Sequence, residues 1–209
     1  MIISHKYKFI FIKTKKTAGS SIQSTIEKHC GKDDIITPMG QLSNRKYKAR
    51  NYNKVNNGLA NFGTHDKISY VKDNIPKDIW DSYLKVTAER NPWDKTVSMY
   101  HYTKKYQNVT MSFDGWVHNK NMNKEKWLPK CWDYYHIDDE CVVDFFIMYE
   151  NLENDYQKFC DMVGVPYEVL NKEKFLRKDK KYHQYYDDTT KNIVSDNFIN
   201  EINKFHYKF

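Results

Sequence analysis

Hydrophobic positions along the 209-residue chain alternate between the periods of strands and helices. Phe9, Ile10, Phe11 and Ile12 form an unbroken apolar run, the pattern of a short strand buried on both faces in a parallel sheet. A polar, small-residue stretch over 13–21 follows. Ile22, Ile26 and Cys30 then recur at i, i+4 and i+8, which is helical spacing. Ser20 or Ser21 can cap that helix and Gly31 can end it. The spacing predicts a second helix over 66–74 on Ile68, Val71 and Ile75, with Pro76 as its stop. Residues 84–88 alternate and read as a strand. Arg90, Asn91 and Pro92 interrupt it, and Pro92 suits the first turn of a helix carrying Trp93, Val97 and Tyr100. A third apolar run over 142–148 precedes a helix on Leu152, Tyr156, Phe159 and Val163, closed by Gly164 and Pro166. A last helix carries Ile193, Val194, Ile202 and Phe205, with Thr189 or Thr190 as its cap.

Strands alternating with helices predict an α/β fold, a central, mostly parallel sheet flanked by helices. The length suits one domain over residues 1–209. Residues 44–61 are rich in Asn and Lys and read as an exposed loop. Residues 102–140 lack a clean period and read as irregular or helical cover at the sheet's edge, placed to line a ligand site. Trp116, Trp127 and Trp132 lie in this stretch. They either fill a core or stack on a sugar-like ligand.

Composition narrows the classes. Aromatic residues make up 16% of the chain, which argues against disorder. No apolar run approaches the roughly 20 residues of a membrane span, and no secretory h-region opens the chain. A soluble, cytoplasmic protein is expected. Cys30, Cys131, Cys141 and Cys160 form no CxxC pair and read as thiols in a reducing compartment. The net charge of +7 points to anionic ligands without choosing among them.

Three constellations carry candidate chemistry. A strand, a small polar loop and a helix gather backbone N–H groups where an anion can sit. Lys16, Thr17, Ala18, Gly19, Ser20 and Ser21 line that loop. The ATP-binding pattern G-x-x-x-x-G-K-[ST] is absent, because the lysine precedes a single glycine. Arg90, at the end of the second strand, and Ser98, in the helix after it, offer a guanidinium fork and a hydroxyl for a second phosphate. His65, in the tight stretch Gly63-Thr64-His65-Asp66, can act as a general base near neutral pH or simply cap the next helix. Glu89 and Asp66 are weaker candidates for that base.

The segment Phe9-Ile10-Phe11-Ile12-Lys13-Thr14-Lys15-Lys16-Thr17-Ala18-Gly19-Ser20-Ser21-Ile22 resembles the 5′-phosphosulfate loop of PAPS-dependent sulfotransferases, especially the carbohydrate, Golgi-type families. The stretch from Val86 through Arg90 and Ser98 to Tyr100 resembles their 3′-phosphate segment. Tyr149-Glu150-Asn151-Leu152, Gly164-Val165-Pro166 and the aromatic ending through Phe209 are similar to later parts of that family. Lys15 stands where the family has proline. Ala18 replaces a glycine and should resist positive φ.

The resemblance implies a P-loop-NTPase-like fold, PAPS as sulfuryl donor with PAP as product, and no metal. It places Lys16 on the leaving oxygen and residues 16–21 on the 5′-phosphosulfate. Arg90 and Ser98 fall on the 3′-phosphate. Lys180, Lys181 and Tyr182 fall in a lid that closes over the donor. His65 matches the Gly-x-His element carrying the base in the uronosyl 2-O-sulfotransferase group. The implied partner is a hydroxyl acceptor on an oligosaccharide or glycoconjugate, not a nucleic acid. Two other readings fit part of the pattern: a metal-dependent nucleotide phosphotransferase, and a non-catalytic nucleic-acid-binding module.

Overall fold

The computed structural model describes residues 1–39, 49–55, 58–122, 130–171 and 181–209, with side chains omitted at 121 and 122. Its central sheet has the order β3-β1-β2-β4-β7, built from β1 (Ile2–Ser4), β2 (Phe9–Ile12), β3 (Ile35–Ile36), β4 (Leu84–Glu89) and β7 (Phe145–Met148). β2, β4 and β7 pair in parallel, and β1 runs antiparallel to both β2 and β3. Four of the five strands therefore point the same way, as the α/β reading requires. Two further strands, β5 (His136–Ile137) and β6 (Glu140–Cys141), form a separate hairpin.

The chain divides into two compact units. The first comprises Met1–Glu89 and Asp133–Glu173. Its core lies on one face of the sheet, where Phe9, Phe11, Val86, Ala88 and Ile147 meet Ile22 and Ile26 of α1 (Gly19–Ile26) and Tyr156 and Phe159 of α6 (Leu152–Val163). Ile10 and Ile12 are equally buried, which explains why β2 is apolar at every position instead of alternating. α6 ends at Gly164, whose φ of 75° supplies the left-handed cap expected of a glycine there. α2 (Ile68–Asp73) and α3 (Lys77–Ser82) precede β4.

The second unit comprises Arg90–Trp132 and Lys174–Phe209. It is helical: α4 (Pro92–Tyr106), α5 (Phe113–Met122), α7 (Asp188–Asn197) and α8 (Ile199–Phe205). Trp116 is buried in its core beside Tyr100 and Phe113, with ring centroids 5.7 Å and 6.4 Å away. It is a packing residue and not a stacking platform for a sugar. Trp127 lies outside the described residues. Phe209 meets the rings of Trp93 at 5.5 Å and Tyr186 at 5.4 Å, both edge-on. Residues 102–140 hold the end of α4, then α5, and the β5–β6 hairpin. No helix among the described residues is long and apolar enough to cross a membrane.

Several boundaries differ from the sequence reading. α1 starts at Gly19 behind Ala18, so neither Ser20 nor Ser21 caps it, and it ends at Ile26, short of Gly31. Gly31 instead gives its N–H to Asp34 Oδ2. The final helix is two helices broken at Phe198, and its cap is Asp187, whose side chain accepts the Thr190 N–H at 2.7 Å. A carboxylate at this position satisfies an orphan amide as well as a threonine would.

Candidate active site

Because β2 and β4 are parallel neighbours, the loop after β2 and the end of β4 at Glu89 share the carboxyl-terminal edge of the sheet. Ligands of open α/β folds bind at this edge. The loop is strapped to β4: the Thr14 hydroxyl donates to the Ala88 carbonyl and also lies 2.8 Å from the Thr17 hydroxyl. Thr17 is fully buried, and its hydroxyl is spent within the loop on Thr14.

Lys16 and Ala18 both take left-handed backbone, with φ of 64° and 66°. Ala18 thus adopts the positive φ it was expected to resist. The strap through Thr14 and the start of α1 impose the turn on a residue that bears a Cβ, a strain of roughly 1 kcal/mol. Ala18→Gly should raise stability by about that amount, a gain that thermal melts will register.

Ala18 is the N-cap of α1 and has no side chain able to cap it. Ala18 therefore leaves the first turn of α1 uncapped from its own side chain, which suits a cradle for an anion. Gly19 is needed for space. A Cβ there would stand 2.8 Å from Lys13 Cγ. Lys13 is buried beneath the loop and donates from Nζ to Gln23 Oε1 at 3.2 Å. The Lys15 ammonium lies 5.7 Å above the Tyr134 ring.

His65 belongs to the same unit and reaches this loop directly. Its Nδ1 lies 2.7 Å from the Lys13 backbone carbonyl. A carbonyl only accepts, so Nδ1 carries the proton and Nε2 keeps its lone pair. His65 does not cap α2, whose N-cap is Lys67. The turn holding it is pinned at each neighbour. Phe62 is buried and its N–H donates to Tyr52 O at 2.8 Å. The Gly63 N–H donates to Asp66 Oδ2 at 2.6 Å, and the Thr64 hydroxyl donates to Pro38 O at 2.5 Å.

Desolvation holds the imidazole below its usual range, and the Lys13 and Lys15 charges add to this, against the pull of the carbonyl hydrogen bond. His65 is nonetheless exposed to solvent, which weakens this shift while leaving its direction. The folded protein then binds this proton less tightly than the unfolded chain, whose histidine titrates near 6.5. The stability tied to neutral His65 is complete above about pH 6.5 and drains away as pH falls below it. Melting temperature should fall less steeply from pH 7 to pH 5 in His65→Gln than in the parent protein.

Of the weaker base candidates, Asp66 is occupied with the Gly63 amide. Glu89 is fully buried and accepts the Tyr135 hydroxyl at 2.9 Å.

Arg90 is the next residue after β4 and the first of the second unit. Its guanidinium is buried and donates from Nε and Nη2 to Asp94 Oδ2 at 2.9 Å and 2.7 Å. Asp94, four residues on in the sequence, orients this fork, a partner that sequence reasoning missed. Asn91 caps α4 by accepting the Trp93 and Asp94 amides, and its own amide donates to Lys208 O at 2.9 Å and Tyr182 Oη at 3.3 Å. Ser98 is half-buried in α4 and Lys181 is exposed. Lys180, with the rest of the basic run before it, lies outside the described residues.

In the first unit the structure thus joins the 13–21 loop and His65. In the second it links Arg90 to Asp94, and Asn91 to Tyr182.

The fold defined by this sheet and loop is that of sulfotransferases. It is similar to the crystal structure of mouse sulfotransferase SULT7A1 complexed with PAP, at a TM-score of 0.55 and 16% identity, over 96% of this chain and 85% of that one. A sulfotransferase from Alicyclobacillus acidocaldarius aligns at a TM-score of 0.45 with 13% identity, over 95% of this chain and 96% of that one, too remote to add to the argument. No protein-family model matches the chain. Over 105 residues it is 33% identical to an uncharacterized protein of Archaeoglobus fulgidus, a span of 47% of this chain and 82% of the archaeal one. The chain belongs to the same family as that protein.

Proposed function

We propose that the protein is a PAPS-dependent sulfotransferase that acts on an acceptor hydroxyl, with a carbohydrate as the acceptor class. The observation that carries this reading is the β2–α1 loop. It has a helix start without a side-chain cap, a glycine pressed on Lys13, and a histidine fixed by the loop's own backbone as the Nδ1–H tautomer. These features fit a bound phosphosulfate beside a base. When bound, PAPS would supply an electrophilic sulfuryl group on a good leaving phosphate.

The chain's own residues would do the rest. Amides of residues 17–21 hold the 5′ anion. Lys16 offsets charge as it develops on the leaving oxygen. Arg90, oriented by Asp94, and Ser98 hold the 3′-phosphate, and the resemblance adds Lys180, Lys181 and Tyr182 to the residues that bind the donor. His65 Nε2 takes the acceptor proton. The acceptor class rests on the resemblance to carbohydrate sulfotransferases.

Thermal melts test the donor. The protein should gain stability from 3′,5′-ADP without added metal, and ATP with Mg²⁺ should do no better. Stabilisation by ATP with Mg²⁺ alone would overturn the reading in favour of a phosphotransferase. Lys16→Met should lower turnover by about two orders of magnitude, roughly 3 kcal/mol of transition-state stabilisation. Its affinity for 3′,5′-ADP should change far less, as calorimetry would show.

A further inference from the structure

We infer that an anion held in the β2–α1 loop raises the basicity of His65, so that the donor primes the base before the acceptor reacts. The inference rests on the proposed donor site and adds a coupling that neither the fold nor the resemblance specifies. Its physical basis is that one residue serves both places. The Lys13 carbonyl holds His65 Nδ1 at 2.7 Å. The Lys13 side chain meanwhile runs beneath Gly19, at the first turn of α1, and ends on Gln23.

The charges around His65 are mostly positive. From the loop come Lys13 and Lys15. On the histidine's own turn, Asp66 is engaged by the Gly63 amide, and Lys67 pairs with Asp133 at 2.6 Å. This field opposes the imidazolium that proton abstraction must create. A dianion in the loop screens the lysines and favours that cation. By linkage, protonation of His65 must favour anion binding equally.

The test uses the full chain labelled with ¹⁵N-histidine, titrated in pH by long-range ¹H–¹⁵N spectra, with His65→Gln to assign the signal. Titrations run alone, with 3′,5′-ADP, and with inorganic sulfate. The His65 midpoint should rise by about one unit or more with either anion. The affinity for 3′,5′-ADP should strengthen on acidification more in the parent than in His65→Gln. If loop amides 16–21 respond to the anion while the His65 midpoint stays put, the coupling is wrong and the donor site stands. If neither anion perturbs those amides, the donor site fails and the coupling with it.

Discussion

Replacing His65 with alanine should lower the rate of the proposed sulfuryl transfer by about two to four orders of magnitude, the range that a positioned general base supplies. The loss should fall on kcat, with the affinity for 3′,5′-ADP at pH 8 nearly unchanged. The reason lies in the ring's orientation. With Nδ1–H committed to the Lys13 carbonyl, only Nε2 can accept a proton, and nothing else in the turn can replace it. The Asp66 carboxylate is spent on the Gly63 amide, and Glu89 is buried against Tyr135. His65→Gln keeps a polar side chain in the turn but cannot take up a proton, so it should be as slow as alanine. Full turnover by either variant at saturating acceptor would move the base elsewhere.

The second large effect concerns stability. Asp34 is almost fully buried, and its carboxylate accepts four hydrogen bonds: Ser4 Oγ at 2.8 Å, His5 N at 2.7 Å, Lys6 N at 3.1 Å and Gly31 N at 2.8 Å. It gathers the turn after β1 and the segment before β3 onto one side chain. Asp34→Ala would remove the acceptor from three part-buried backbone donors and one buried hydroxyl, each worth roughly 1 kcal/mol. We expect a loss on the order of 3–5 kcal/mol, or roughly 10 °C in melting temperature for a chain of this length. Ser4→Ala, which removes one donor to the carboxylate and the acceptor of the Tyr7 N–H but leaves Asp34 its other three bonds, should cost about 1–2 kcal/mol. A melting temperature for Asp34→Ala within about 2 °C of the parent would show that the cluster is not the anchor described.

The elements most legible in the sequence are those whose burial imposes a period. β2 reads as a two-sided strand because both its faces are covered. α6 reads as a helix because Leu152, Tyr156, Phe159 and Val163 share a face and Gly164 ends it. β1 and β3 span three and two residues, too short for any period to show, so the antiparallel side of the sheet was missed. α3 has no buried residue and thus no apolar stripe. The break at Phe198 was invisible because Ile193, Val194, Ile202 and Phe205 fit one continuous helix equally well. The start of α1 was misplaced because serine is a good cap by type, whereas the strap from Thr14 forces the turn onto Ala18.

The candidate site divides in the same way. The strand–loop–helix order and the tight turn around His65 could be read from residue types. What holds His65 could not, because its partner is a backbone carbonyl, which every residue possesses. The pairing of Arg90 with Asp94 was within reach of an i, i+4 scan. That Thr17 turns its hydroxyl inward needed the fold.

The bond between His65 and position 13 has a consequence for how this protein varies. Its acceptor belongs to the main chain, so exchanging the Lys13 side chain leaves it in place, and an alanine scan would pass over it. An amide-to-ester replacement between residues 13 and 14 would weaken that acceptor selectively. The ring's orientation is thereby buffered against drift at position 13.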